Sequence, residues 1–117
     1  RKEWLEKLGG VIDAKDSAGF ASYLTEEGTF KFGNADAVIG RLNVQNYVDA
    51  FFKMISKSEH KVVNFWEQGE TVIWQGEVKY TRLDQKIVIV SFCNIFYMKG
   101  ELIDKYLIYI DNTPLFQ

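Results

Sequence analysis

The feature that most constrains this chain is a change of period. From Glu59 onward, apolar residues recur at alternate positions in long runs separated by short turn sequences. Alternation is the signature of strands, whose successive side chains point to opposite faces. The runs are His60–Trp66, Thr71–Arg82, Lys86–Met98 and Leu102–Asp111, with turns at Gln68-Gly69, Leu83-Asp84-Gln85 and Lys99-Gly100. Connections this short cannot make parallel crossovers, so the spacing predicts an antiparallel meander. The only proline, Pro114, lies beyond the last run, where it breaks no ladder.

The third run differs from the others. From Lys86 to Tyr97 it is apolar at both odd and even positions. A sheet with one wet face alternates, so this strand should be covered on both faces. Helices supply one cover. A partner subunit is the simplest second cover, and another part of the same chain is the alternative.

The first half carries helical spacing. Trp4, Leu5, Leu8, Val11 and Ile12 mark a first helix, in which Gly9 and Gly10 can allow close approach to another element. Asp16 is placed to cap a short second helix bearing Phe20, Tyr23 and Leu24. Thr25–Gly28 reads as a turn, Thr29–Phe32 as a strand ending at Gly33-Asn34, and Ala37–Ile39 as a brief strand. Asn43 is placed to cap a third helix with an apolar stripe of Val44, Tyr47, Val48, Phe51, Phe52 and Ile55. Helices followed by a meander make an α+β class: an antiparallel sheet packed on about three N-terminal helices. Residues 1–117 are read as one domain.

Composition removes several function classes. The 14 Lys and Arg residues are scattered and the net charge is −2, so no basic patch for nucleic acid is expected. No apolar stretch is long enough to span a bilayer, and none reads as a signal peptide. A cytoplasmic location is the default expectation. A single cysteine, Cys93, excludes an intramolecular disulfide, and a single histidine excludes a multi-histidine metal site. No phosphate loop or dinucleotide fingerprint is present. No metal and no cofactor are expected.

Side chains able to do chemistry are few. His60 titrates in the range suited to general acid–base work, or is an exposed residue at a helix–strand junction. Asp111 ends an apolar strand as either a turn residue or a pocket acid. Asn94 interrupts the two-faced apolar run and needs hydrogen-bond partners if buried. Asn34 follows Gly33 as a turn residue or a ligand contact. Trp74, Gly76, Val78 and Tyr80 share one strand face, on which Gly76 leaves room for a ligand. Tyr109 supplies a further aromatic. Trp74, Tyr80 and Tyr109 are either ligand-binding or ordinary core.

The order of elements resembles the nuclear transport factor 2-like superfamily. Asp13–Asp16 followed by Phe20 and Leu24–Phe30 resembles the opening of its SnoaL-like domains. Phe32–Asn34, Gly40-Arg41, Gly76–Arg82 and Tyr109–Asp111 continue the match. The resemblance implies a cone-shaped sheet enclosing a pocket and a homodimer formed through the outer sheet face. It implies an aspartate moving a proton in the pocket, with Asp111 the nearest match. It also puts Asn94 near the position where ketosteroid isomerases carry an oxyanion-stabilising acid. Two features depart from the isomerase pattern: Phe30-Lys31-Phe32 carries no carboxylate, and no tyrosine lies near Leu8.

Two functions are therefore expected as alternatives. One is a pocket protein for a small apolar carbonyl or hydroxyl compound, acting without cofactor as an isomerase, cyclase or dehydratase. In it Asp111 or His60 moves the proton, and Asn94 and Tyr80 stabilise negative oxygen. The other is a non-catalytic ligand-binding or dimerisation module.

Overall fold

A computed structural model describes all 117 residues. Helices α1 (Lys2–Asp13) and α2 (Ser17–Ala21) lead into strands β1 (Leu24–Phe32) and β2 (Val38–Ile39). Helix α3 (Arg41–Phe52) follows, then β3 (Ile55–Gln68), β4 (Thr71–Arg82), β5 (Ile87–Lys99) and β6 (Leu102–Ile110). A 3₁₀ turn, Thr113–Leu115, follows β6. All six strands form one sheet in the order β2-β1-β6-β5-β4-β3. The expected meander is β3 to β6, antiparallel throughout. No helix is long and apolar enough to cross a membrane.

The structure corrects the N-terminal half in four places. Tyr23 and Leu24 lie outside α2, Tyr23 in the turn that follows it and Leu24 at the start of β1. Thr25–Gly28 is not a turn but part of β1, which runs parallel to β6 with a register shift between Leu24 and Thr29. The pairing partner lies at the far end of the chain, so local sequence could not reveal it. Thr25 Oγ1 donates to Asp104 of β6 at 2.8 Å across this seam. Asn43 does not cap α3: Gly40, at φ +95°, holds the N-cap position, and Asn43 Nδ2 donates to the Ile39 carbonyl at 2.9 Å. Ile55 leaves the helical stripe and opens β3, opposite Arg82. Asp16 does cap α2, accepting from the Gly19 amide at 2.9 Å.

The core lies between the concave sheet face and the helices. Val72, Trp74, Val78 and Tyr80 of β4, Phe92 and Phe96 of β5 and Tyr106 of β6 point inward. Leu5, Leu8, Val44 and Val48 meet them from α1 and α3. Each such side chain contributes about 1.5–3 kcal/mol relative to exposure. The opposite face of β5 and β6 is uncovered: Ile87, Ile89, Tyr97 and Tyr109 are all exposed. No other segment within these residues covers that face.

Strand β3 carries a bulge. Val63 is an extra residue there, because Val62 pairs with Gly76 while Asn64 pairs with Gln75. A bulge bends its strand and increases the twist. Gly76 sits opposite it, and its space is already filled. A Cβ there would stand 2.3 Å from Phe92 Cζ, 2.6 Å from the Lys61 carbonyl oxygen and 2.8 Å from Trp74 Nε1. The room expected for a ligand at Gly76 is thus occupied by the protein's own atoms. Gly76→Ala should lower unfolding stability by roughly 2–3 kcal/mol in urea titration, because backbone as well as side chain must shift. A change under about 0.5 kcal/mol would show that the bend is not locked here.

Candidate functional site

Helix α1 reaches the sheet at Gly9. A Cβ on Gly9 would lie 3.3 Å from His60 Cβ and 3.5 Å from the Trp74 ring, so only glycine permits this approach without displacement. One turn later the same helix face presents Asp13. Its carboxylate meets β3 in three hydrogen bonds. Ser58 Oγ donates to Oδ1 at 2.8 Å and the His60 amide donates to Oδ2 at 2.8 Å. The His60 ring bonds Oδ1 through Nδ1 at 2.5 Å.

These bonds set protonation states. Burial works to raise Asp13, but the His60 ring, the His60 amide, the charge on His60 and the Ser58 hydroxyl together hold the carboxyl below its ordinary value. An ionised carboxylate can only accept, so Nδ1 carries the imidazole proton. In the uncharged ring that tautomer leaves Nε2 as an acceptor. The ring is held edge-to-face against Phe92, at 5.7 Å between centroids, and lies 6.0 Å from the Trp74 ring.

His60 faces an aromatic-lined cavity between the sheet and helices α2 and α3. Its walls include Phe20, Phe30, Phe51, Tyr80, Phe92 and Tyr106. Unfilled space totals about 570 Å³ including the open mouth, of which about 50 Å³ is wide enough to take water. Ser58, His60 and Asn94 are its three non-hydrophobic lining residues. Burial raises the Tyr80 phenol, and the Asp13 charge raises it further. Burial likewise raises Tyr106, with Tyr80 adding to it. Both hydroxyls therefore stay protonated as donors. Asn94 is 3% exposed, and its Oδ1 has no hydrogen-bond partner. An unmet buried acceptor costs about 1–3 kcal/mol, so Oδ1 is open to a donor from a water or a ligand.

The expected residues divide sharply. His60, Tyr80 and Asn94 come together in the cavity. Trp74 is fully buried behind it, with Nε1 donating to the Lys61 carbonyl at 3.4 Å, and packs the site rather than lining it. Tyr109 is on the outer sheet face, because its neighbours on β6, not Tyr109 itself, point inward. Asn34 is exposed in the turn after β1. Asp111 is exposed too: its Oδ1 accepts from the Thr113 amide at 3.0 Å and the Thr113 hydroxyl at 2.6 Å. Those bonds hold Asp111 below its ordinary value, so it is a turn carboxylate and not a pocket acid. The carboxylate bonded to the cavity histidine is Asp13, which lies behind His60 and which sequence reasoning passed over. The available signal was an acid in line with Leu5 and Gly9 on the buried stripe of α1. No cluster of three or more His, Cys, Asp or Glu residues is spaced to hold a metal.

The depressed Asp13 value has a signed consequence. The unfolded chain binds a proton at Asp13 at a pH where the folded one does not, so stability rises with pH through that interval. The contribution is complete above the unfolded value near pH ~4 and is lost as pH falls through the lower folded value. Asp13→Asn should therefore flatten the acid limb of a stability–pH profile measured by denaturant unfolding. An unchanged slope below about pH 4 would contradict the bonding described here.

The family model of the SnoaL-like domain matches residues 4–106. No curated protein sequence matches significantly. Solved structures share the fold at low identity. A nuclear transport factor 2-like protein of unknown function from Burkholderia pseudomallei K96243 is 12% identical, with a TM-score of 0.86 over 97% of this chain and 92% of that one. A putative SnoaL-like polyketide cyclase from Jannaschia sp. CCS1 is 16% identical, with a TM-score of 0.76 over 94% and 90%. An epoxide hydrolase/cyclase-like enzyme of pyran-ring formation in the polyether salinomycin is 15% identical, with a TM-score of 0.81 over 96% and 91%. With the curved sheet, the three helices and the family match over most of its length, this chain belongs to the SnoaL-like domain family.

Proposed function

We propose that this protein catalyses proton transfer, without a cofactor, on a small apolar compound bearing a carbonyl or hydroxyl group. The observation that carries the reading is the Asp13–His60 pair set at the wall of an aromatic cavity. His60 Nε2 takes a proton from carbon or oxygen, and Asp13 stabilises the imidazolium that forms. Asn94 and the phenols of Tyr80 and Tyr106 donate to the oxygen that becomes negative. The narrowness of the cavity requires Phe51 or Tyr47, both partly exposed along it, to swing aside as a ligand enters. Isomerisation, aldol cyclisation and dehydration all use this step. Solved proteins of the same fold include those described as cyclases, which supports the class.

The proposed assembly is a homodimer through the outer sheet face. Ile87, Ile89, Tyr97 and Tyr109 form an exposed apolar strip, and a second copy presents the same strip about a two-fold axis. The free thiol of Cys93, on that face, fits the cytoplasmic setting included in this reading. A second functional reading, a binding or dimerisation module without catalysis, is favoured by this strip together with the narrow cavity.

Deuterium exchange separates the two. The protein is incubated in D₂O with 1-indanone and 2-tetralone, and loss of the protons α to the carbonyl is followed by NMR. The wild type should accelerate exchange, and His60→Gln should lose about 100-fold or more of that rate. No acceleration by a protein that sediments as a dimer would favour the binding module. Full activity in His60→Gln would remove the catalytic assignment.

A further inference from the structure

The Asp13–His60 pair has two sides with different surroundings. His60 lines the apolar cavity, and Asp13 does not. Asp13 lines a second cleft, between α1 and β3, which His60 also reaches. Lys2, Glu6 and Gly10 of α1 and Lys61 of β3 border this cleft. About 440 Å³ of it is wide enough to take water, against about 50 Å³ in the apolar cavity. The exposures agree: the Asp13 side chain is 25% accessible and that of His60 only 11%.

A ligand filling the apolar cavity would displace what little water it holds. A proton taken up by His60 could then only return to that ligand, unless the pair has another outlet. The cleft provides one, because the carboxylate bonded to Nδ1 is wetted from behind. We propose that the α1–β3 cleft is a rear proton port, through which Asp13 and His60 exchange protons with bulk water while the apolar cavity is occupied. This rests on the acid–base reading of the pair. The step balances: an imidazolium passes its Nδ1 proton to Asp13 Oδ1, and the carboxylic acid passes it to a cleft water. A neutral ring protonated on Nε2, a carboxylate and a hydronium ion remain, and the reverse passage through Asp13 restores the Nδ1 proton as Nε2 gives its own back to the ligand. The charged groups facing the cleft are Lys2 and Glu6 from the helix and Lys61 from the strand.

Gly10 gives a way to close the port without touching the pair. It is exposed in α1, and a Cβ there meets nothing within 4 Å. A larger side chain at this position therefore lies over the cleft instead of entering the core. It also replaces a glycine inside a helix, which favours the helix.

The test follows solvent exchange of the His60 ring protons by NMR, unambiguous because the chain has one histidine. Toluene fills the apolar cavity, and shifts of the Val48 and Val78 methyl signals, which line it, report its occupancy. Exchange in the wild type should change little on loading. In toluene-loaded Gly10→Phe it should fall by about tenfold or more, while Gly10→Ala, which strengthens the helix without covering the cleft, retains the wild-type rate. Loss of exchange on adding toluene to the wild type would overturn the port. So would an unchanged rate in loaded Gly10→Phe. Exchange through the cleft without turnover of any ketone would keep the port and remove the catalytic reading. Ketone turnover with exchange stopped by toluene would do the reverse.

Discussion

The contact on which the rest depends is the approach of α1 to the sheet at Gly9. A helix normally stands off a sheet by the length of its side chains. Here the missing Cβ lets the backbone of α1 come down onto His60 and Trp74. That closeness brings Asp13, at the end of the helix, within hydrogen-bond reach of β3. The sheet meets the helix from its own side by bending at the Val63 bulge, which Gly76 accommodates. Two glycines, on different elements, thus fix one carboxylate against one imidazole.

Electrostatics follow from that placement. A carboxylate drawn partly out of water must recover its desolvation cost through hydrogen bonds of good geometry. Asp13 does so with three donors, and its wetted rear side reduces the cost further. Its charge then reaches across the cavity and adds to the burial that keeps Tyr80 a phenol. A base at one wall and neutral donors at another are what transfer of a proton away from a carbonyl compound requires. Asn94 adds an amide to the same wall: its Nδ2 is the donor, while its unmet Oδ1 is open to a donor from a ligand or a water.

Much of the fold was legible because it is local. The period-two runs locate β4 with both ends correct, and the short turns dictate its antiparallel neighbours. The two-faced pattern of β5 marks a strand with one face on the core, while the cover expected for its other face is not supplied by these residues. What was not legible is non-local. The parallel pairing of β1 with β6 joins the first strand to the last, Leu24 to Ile103 and Phe32 to Ile108, so Thr25–Gly28 reads as a turn. The same holds for the site. His60, Tyr80 and Asn94 are recognisable as strand residues able to do chemistry, and all three line the cavity, but the packing decides which strand face looks inward. Asp111 and Asp13 both end an apolar stretch next to a turn, and only the packing of α1 decides which of them faces histidine.

The most direct test of the account is the tautomer and pairing of His60 in the free protein at neutral pH, read from ring ¹⁵N shifts and one-bond couplings. The account predicts a proton on Nδ1, strongly deshielded by the Asp13 carboxylate, with Nε2 unprotonated toward the cavity. A ring protonated on Nε2 with a bare Nδ1, or one whose Nδ1 proton is unaffected by Asp13→Asn, would contradict it.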